Sequence, residues 1–560
     1  MTGDDALVAA ARAWRDQDPD VETRDELDAV VAAAETGDAD AVADLHDRFD
    51  TRLAFGTAGL RGALGAGSAR MNRVLVAQAA AGFAAFLTGR EEAPSIVIGY
   101  DGRKNSAVFA RDTAEIMAAA GVRTTILPRA LPTPVLAFAV RHLDVSAGVM
   151  VTASHNPARD NGYKVYLGGV DAGSQIVSPV DAEIAARIDD AATRPVSELP
   201  RSDDWTESGD EVVDEYVRRT AALAGTAAAG SASGRQPRVV YTAMHGVGWE
   251  VARRVFAQAG FVEPIPVAEQ SAPDPEFPTV AFPNPEEPGA LDLAFATADR
   301  VSADLVIAND PDADRLAVAV PTTDGWRRLS GNEVGALLGW RAAERARRDD
   351  VDGTLAASIV SSPALREVAR RYGLDYADTL TGFKWVSRVG GLLFGYEEAL
   401  GYLVDPQKIR DKDGISAAVD FLALAAELAA EGSTVAEHLT AFDERFGAYA
   451  SSQISLRVDD LSDIARLTGR LREAPPATVG SRRVDRIDDF RDGFGAFPPG
   501  DVLRLWFTDG SRVIVRPSGT EPKLKVYVDA SSTEGDAASR RAAAEAAVAD
   551  LDAGMRELLH

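Results

Sequence analysis

The chain has no cysteine, which excludes disulfides, thiolate metal sites and a cysteine nucleophile. It also lacks any run approaching the ~18 apolar residues of a membrane span. The Ala-rich stretch Ile415 to Ala430 comes nearest, and Asp420 and Glu427 break it. Positive charge is short: 59 Lys plus Arg stand against 86 Asp plus Glu, a net charge of −27. Such an acidic chain is not expected to bind nucleic acid or an anionic membrane through its overall field, and an anionic substrate needs a local basic pocket. The acidic opening Met1-Thr2-Gly3-Asp4-Asp5 has neither the basic nor the apolar region of a secretory signal. These absences lead us to expect a soluble cytoplasmic protein.

What is present suffices for several cores. The apolar fraction is 46% of 560 residues, and a chain of this length holds about three to five domains. Residues 6 to 49 read as two or three helices, with Thr23 and Glu26 as a capping box before Leu27 to Ala34. Strand and helix then alternate to Ser154, which argues a parallel α/β arrangement with right-handed crossovers. The Gly-, Ala- and Ser-rich stretch 225 to 237 reads as a loop, and Pro273 to Pro288 as an extended one. Ser330-Gly331-Asn332-Glu333 caps a long helix. From about 449 onward, short strands, the helix Leu461 to Glu473 and a hairpin at Asp509-Gly510 suggest an α+β domain. We therefore divide the chain at 1–50, 51–208, 209–321, 322–448 and 449–560.

Four loops carry chemistry. Thr152-Ala153-Ser154-His155-Asn156-Pro157 follows the apolar run Ala147 to Val151, so Ser154 should lie on a tight turn at a sheet edge, where α/β domains place ligands. A capping serine is the plainer meaning of one Ser-x-Asn-Pro, but the other loops outweigh it. A strand after the turn would return Lys164 beside Ser154; a solvated strand lysine is the rival reading. Phe55-Gly56-Thr57-Ala58-Gly59-Leu60-Arg61-Gly62 offers backbone N–H groups and a guanidinium to an anion, a weak signal alone. Asn309-Asp310-Pro311-Asp312-Ala313-Asp314-Arg315 follows the buried strand Leu305 to Ala308. Its three carboxylates at i, i+2 and i+4 can converge on a hard cation such as Mg²⁺ or Ca²⁺. A bare acidic turn is a poor rival, because three crowded carboxylates repel without a counter-ion. Arg516-Pro517-Ser518-Gly519-Thr520-Glu521-Pro522-Lys523 sets an arginine, two hydroxyls and a glycine on one turn, a phosphate cradle.

Together, in this order and spacing, the Ser154, Asp310 and Arg516 loops closely resemble those of the α-D-phosphohexomutases, the phosphoglucomutase/phosphomannomutase superfamily, from about residue 50 to the end. The resemblance is nearest to the branch of second-type phosphoglucomutases and phosphopentomutases. It implies an α/β protein of four domains around a central cleft: three mixed α/β sandwich domains of similar topology and a C-terminal α+β domain. It implies an isomerase acting on small-molecule sugar phosphates, with Ser154 phosphorylated at rest and a sugar 1,6-bisphosphate as intermediate and activator. Mg²⁺ would be held by Asp310, Asp312, Asp314 and the phosphoserine oxygen of Ser154. Lys164, with His155 or Lys384, would move the hydroxyl proton. Arg61 would touch the phosphoserine, and Arg103 would support the loops from near the active site. Arg315 would be a neighbouring phosphate-side residue.

Thr381 and Gly382, in Thr379-Leu380-Thr381-Gly382-Phe383-Lys384, would belong to the substrate site. So would Glu397 in Gly395-Tyr396-Glu397-Glu398-Ala399-Leu400-Gly401-Tyr402, which resembles the sugar-recognition loop; taken alone, that turn is more plainly a surface turn. Ala399 stands where many hexomutases have serine, which removes one hydroxyl contact. Arg410 and Lys412 would face the pocket. Arg516, Ser518, Gly519 and Thr520 would grip the phosphate that is not reacting. The simplest substrate pair is α-D-glucose 1-phosphate and glucose 6-phosphate, with mannose or pentose phosphates as alternatives within the class. A sugar phosphatase or a non-catalytic sensor is a weaker fit, because neither needs both a nucleophile and a second phosphate site. A monomer or homodimer is expected.

Overall fold

The computed structural model describes residues 3–225, 236–457, 461–517 and 523–559. The chain falls into two compact units: Met1–Arg328 with Gly401–Glu427, and Leu329–Leu400 with Leu428–His560. Most of the Gly/Ala/Ser-rich stretch, and Ser518, Gly519 and Thr520, lie outside the described residues.

The first unit opens with three helices, Gly3–Gln17, Val21–Glu35 and Ala39–Phe49. The Thr23–Glu26 capping box is not formed. The second helix starts earlier, where the Asp20 side chain accepts from Glu22 N at 3.0 Å. That leaves Thr23 inside the helix, donating to Asp18 at 2.7 Å. Glu26 is engaged elsewhere: it pairs with Arg48 at 2.8 Å and accepts from Ala66 N.

Next comes a mixed sheet ordered Leu60–Ala63, Asp160–Leu167, Ala147–Val151, Ser95–Tyr100, Arg123–Ile126, Thr206–Glu207. The expected parallel strands form its middle, and Asp160–Leu167 runs antiparallel to Ala147–Val151. Alternation along the strand Ser95–Tyr100 decides its two faces. Ile96 and Ile98 join the core with Phe83, Phe109 and Met117 from helices Arg73–Arg90 and Ser106–Ala119. The other face is covered by helix Thr133–His142, which comes so close that a Cβ on Gly148 would sit 2.3 Å from Val140. A second sheet, ordered Gly325–Arg328, Ala317–Thr322, Leu305–Ala308, Val239–Thr242, Ile265–Pro266, carries the acidic loop at the end of Leu305–Ala308. Pro273 to Pro288 contains no helix or strand, as expected.

In the second unit, parallel strands Asp375–Thr379, Thr354–Ser358 and Leu392–Glu397 pack with helices Gly331–Arg348 and Ala364–Tyr372. The capping box of Ser330 and Glu333 is present. An antiparallel sheet follows, ordered Ala448–Arg457, Lys523–Ser532, Arg512–Pro517, Leu503–Phe507, Arg482–Asp489, Thr478–Val479. Helices Leu461–Glu473 and Ala537–Leu559 cover it, contributing Ile464, Leu467, Val548 and Leu551 to its core.

Candidate active site

Ser154 stands one turn past the strand Ala147–Val151 and is buried. Its φ of +54° is uncommon for a residue with a side chain, so the surroundings must hold it. They do so from below. Ser154 N donates to Thr152 Oγ1 at 2.8 Å, and Thr152 donates to Asp101 at 2.6 Å. Arg103, itself buried against Asp101, donates to four backbone carbonyls of the loop: Ser154, Asn156, Pro157 and Asp160, at 2.5 to 3.1 Å. Its guanidinium therefore ties the loop together from beneath. Gly162 permits the strand to return: a Cβ there would lie 2.6 Å from Thr152 O and 2.8 Å from Leu60 O.

The acidic loop meets Ser154 directly, with Ser154 Oγ donating to Asp310 Oδ2 at 3.1 Å. Asp310, Asp312 and Asp314 are fully buried, and one oxygen from each lies within 4.8 Å of the others. The returning strand places Lys164 opposite Met150, and its ammonium donates to Asp312 at 2.8 Å and Asp314 at 3.0 Å. Both lysine bonds go to Oδ2 atoms. Asp312 Oδ1 and Asp314 Oδ1 remain buried without a hydrogen-bond partner, the condition in which carboxylate oxygens suit a hard divalent cation. Burial, then the Asp312 and Asp314 charges, push the Asp310 carboxyl well above its usual range. Burial also opposes charge on Asp314, but Lys164, Lys412 and Arg315 outweigh it and hold Asp314 low. A divalent cation would offset the mutual repulsion of the three crowded carboxylates.

Neighbouring elements fix the loop. Thr133 N donates to Asp312 O at 2.9 Å and Thr133 Oγ1 to Asp312 Oδ2 at 2.6 Å. On the other side a Cβ on Gly246 would sit 2.2 Å from Pro311 Cα, so only glycine lets the turn Met244 to Gly248 seat the loop. Arg315 N donates to Asp310, and the Arg315 guanidinium lies 3.9 Å from Asp310 and Asp314. His155 Nδ1 is 3.2 Å from Ser154 Oγ. Burial and then Arg315 and Arg61 drive its pKa well below the ordinary value, so the imidazole stays neutral. Arg61 pairs in register with Gly162 and reaches Asn156 at 3.5 Å.

Segment 401–427 belongs to this unit. Lys412 Nζ meets Asp314 at 2.8 Å. Its flanking carboxylates are both tied down, Asp411 by Tyr166 and Gln175 at 2.8 Å each, and Asp413 by Tyr216 at 2.8 Å and a wholly buried Lys408 at 2.8 Å. Arg410 is close enough to Arg141 for the two like charges to repel. Reading the sequence by motif missed the Lys412–Asp314 pair, Thr133 and the Asp101 anchor, whose partners lie far away along the chain.

The second unit holds the remaining expected residues. Glu397 ends the strand Leu392–Glu397 and accepts from Gly382 N at 2.6 Å. Gly382, at φ +113°, and Thr381 precede the short helix Phe383–Val386 that carries Lys384. Glu398 turns inward, accepting from Ser358 at 3.1 Å and Ser361 at 3.0 Å, and Ala399 is half-buried beside it. Arg516 lies near the end of Arg512–Pro517, where its positive charge acts on the hydroxyl of Tyr527.

Comparison with known proteins agrees with this arrangement. Residues 52–195, 214–325 and 330–445 match the phosphoglucomutase/phosphomannomutase alpha/beta/alpha domains I, II and III, and 454–548 match the family's C-terminal domain. A Haemophilus influenzae protein described as "Probable phosphomannomutase" is 54% identical over 490 residues, covering 87% of this chain and 98% of the relative. The phosphopentomutase of Homo sapiens is 35% identical over 550 residues, covering 88% and 87%. The crystal structure of a phosphoglucomutase/phosphomannomutase family protein from Burkholderia thailandensis shares the fold, with a TM-score of 0.67 at 21% identity over 91% of this chain and 97% of that one. The chain belongs to the phosphoglucomutase/phosphomannomutase family of the α-D-phosphohexomutase superfamily, and it is a phosphosugar mutase, an isomerase.

Proposed function

We propose that the enzyme interconverts mannose 1-phosphate and mannose 6-phosphate through a phosphorylated Ser154. The observation that carries the mechanism is the buried contact of Ser154 Oγ with Asp310, beside Lys164 bound to Asp312 and Asp314. The phosphoryl group passes from Ser154 Oγ to the free sugar hydroxyl: the P–Oγ bond breaks and a P–O bond to the sugar forms. The hydroxyl proton ends on Ser154 Oγ. Lys164 and the neutral His155 are placed to relay it; Lys384, on the second unit, is the further candidate that the family resemblance implies. The sugar bisphosphate then turns over and returns its other phosphoryl group to Ser154. Mg²⁺ held by Asp310, Asp312 and Asp314, with the Ser154 oxygen, would neutralise charge on the transferring oxygens. Arg61 and Arg315 lie against the reacting phosphoryl group, with Arg103 behind them. Thr381, Gly382, Glu397, Arg410 and Lys412 bind the sugar side, and Arg516 with Ser518, Gly519 and Thr520 the distal phosphate.

The sugar is the finer question. The 54% relative supports mannose ahead of the glucose phosphates expected from sequence. A pentose phosphate is the second reading, favoured by the 35% identity to a phosphopentomutase and by Ala399. Phosphorus NMR with Mg²⁺ and a trace of sugar bisphosphate tests this: mannose, glucose and ribose 1-phosphates are supplied in turn and the terminal phosphate is followed. Faster turnover of glucose or ribose phosphate reassigns the sugar, and release of inorganic phosphate alone sinks the mutase mechanism. Ser154→Ala should lower kcat by about 10³-fold or more while sugar phosphate still binds.

A further inference from the structure

Arg512 is 2% exposed, yet it lies far from Ser154 in sequence and outside every motif. It starts the strand Arg512–Pro517, on which alternate residues share a face. On that face stand Arg512, Ile514 and Arg516. Ile514 packs with Ile359, Val360 and Tyr527 in one apolar cluster. Arg512 donates to Asp529 at 2.9 Å and to the carbonyl of Ser361. Ser361 Oγ in turn donates to Glu398 at 3.0 Å and accepts from Glu398 N at 3.0 Å. One buried chain of bonds thus leads from Arg512 through Ser361 to Glu398, next to Glu397. The same strand leads four residues on to Arg516, whose positive charge acts on the hydroxyl of the buried Tyr527 opposite Ile514.

We propose that Arg512 is a positioning residue that fixes the spacing between the sugar-reading Glu397 and the phosphate-gripping Arg516, and so sets how strongly hexose phosphates are preferred over pentose phosphates or the reverse. The inference rests on the roles given to Glu397 and Arg516 under the proposed function. A hexose and a pentose phosphate differ in the distance from the distal phosphate to the ring hydroxyls. A rigid pair of contacts reads that distance, and a loosened pair does not.

The test uses Arg512→Met and Ser361→Ala in the full chain. The first removes both bonds of the guanidinium but leaves Asp529 buried. The second is milder: it removes the Ser361 hydroxyl from Glu398 and from Ser358 but keeps the carbonyl that Arg512 bonds, so the idea stays testable if the first fails to fold. Steady-state kinetics are measured with mannose 1-phosphate and ribose 1-phosphate, and Mg²⁺ binding by calorimetry. The expected result is a rise in KM of about tenfold for the preferred sugar with kcat little changed. The ratio of kcat/KM between the two sugars should shrink about fivefold, with Mg²⁺ affinity as in the parent enzyme. An unchanged ratio, with both sugars losing equally, overturns the proposal while leaving the mutase function intact. A parent enzyme that turns over neither sugar overturns the proposed function, and this inference with it.

Discussion

Arg103 and Asp101 are a buried pair whose value lies in what they hold. Each side chain is 1% exposed, and the arginine fork gathers four carbonyls that a loop of this shape turns inward. Replacing the pair by apolar groups of like volume could be nearly neutral to stability, but removing one partner is not. Arg103→Met should cost about 3–5 kcal/mol, because Asp101 and the carbonyls stay buried without their donor. Urea unfolding measures that loss; a cost under about 1 kcal/mol would show that water replaces the guanidinium. In sequence, Arg103 is marked as a support for the loops only by the family resemblance. The number and identity of the carbonyls could not be foreseen, because they depend on the path of a turn more than fifty positions away.

The acidic loop is the element on which the site depends, and it is shaped by glycines on other elements. Gly246 lies under Pro311 and Gly414 under Arg315, where a Cβ would come within 2.2 Å of backbone in each case. Gly246→Ala must displace either the acidic loop or the turn that carries Gly246, since neither backbone can yield by rotating a side chain. We expect Mg²⁺ affinity to fall about tenfold or more, the range found when residues that orient metal ligands are changed. Calorimetry reads it, and unchanged affinity would mean that the turn Met244 to Gly248 moves instead. At this scale much was legible. The strand Leu305–Ala308 and its Asp-x-Asp-x-Asp turn are contiguous, and so are the strand before Ser154 and the helix after Ser330. The capping box at Thr23 failed because Asp20, three residues earlier, is itself a good N-cap and freed Glu26 for Arg48. Lys412 on Asp314 and Arg512 on Ser361 were out of reach, for spacing along the chain carries no record of which distant strands become neighbours.

The whole molecule divides into two compact units, and the chain passes between them at residues 328/329, 400/401 and 427/428. Asp310, Asp312 and Asp314, with Ser154, Lys164 and Lys412, belong to the first unit, whereas Glu397 and Arg516 belong to the second. Large chains of this kind often depart from two-state unfolding. A ligand that binds one folded unit stabilises that unit by mass action, by about 2.7 kcal/mol at a hundred times its dissociation constant. Mg²⁺ should therefore raise the opening free energy of the first unit's core, seen at Ile96, Val149 and Ile307, by that amount. It should leave the second unit's core, at Val513, Val515 and Val526, where it was. Hydrogen exchange followed by mass spectrometry in rising urea resolves both sets of amides in one experiment. Equal protection of both sets by Mg²⁺ would show that the units open together. Protection of neither would show that the Asp310, Asp312 and Asp314 cluster binds no metal in the unphosphorylated chain. Protection confined to the first unit would tie the cation to that cluster, independently of any assay of turnover.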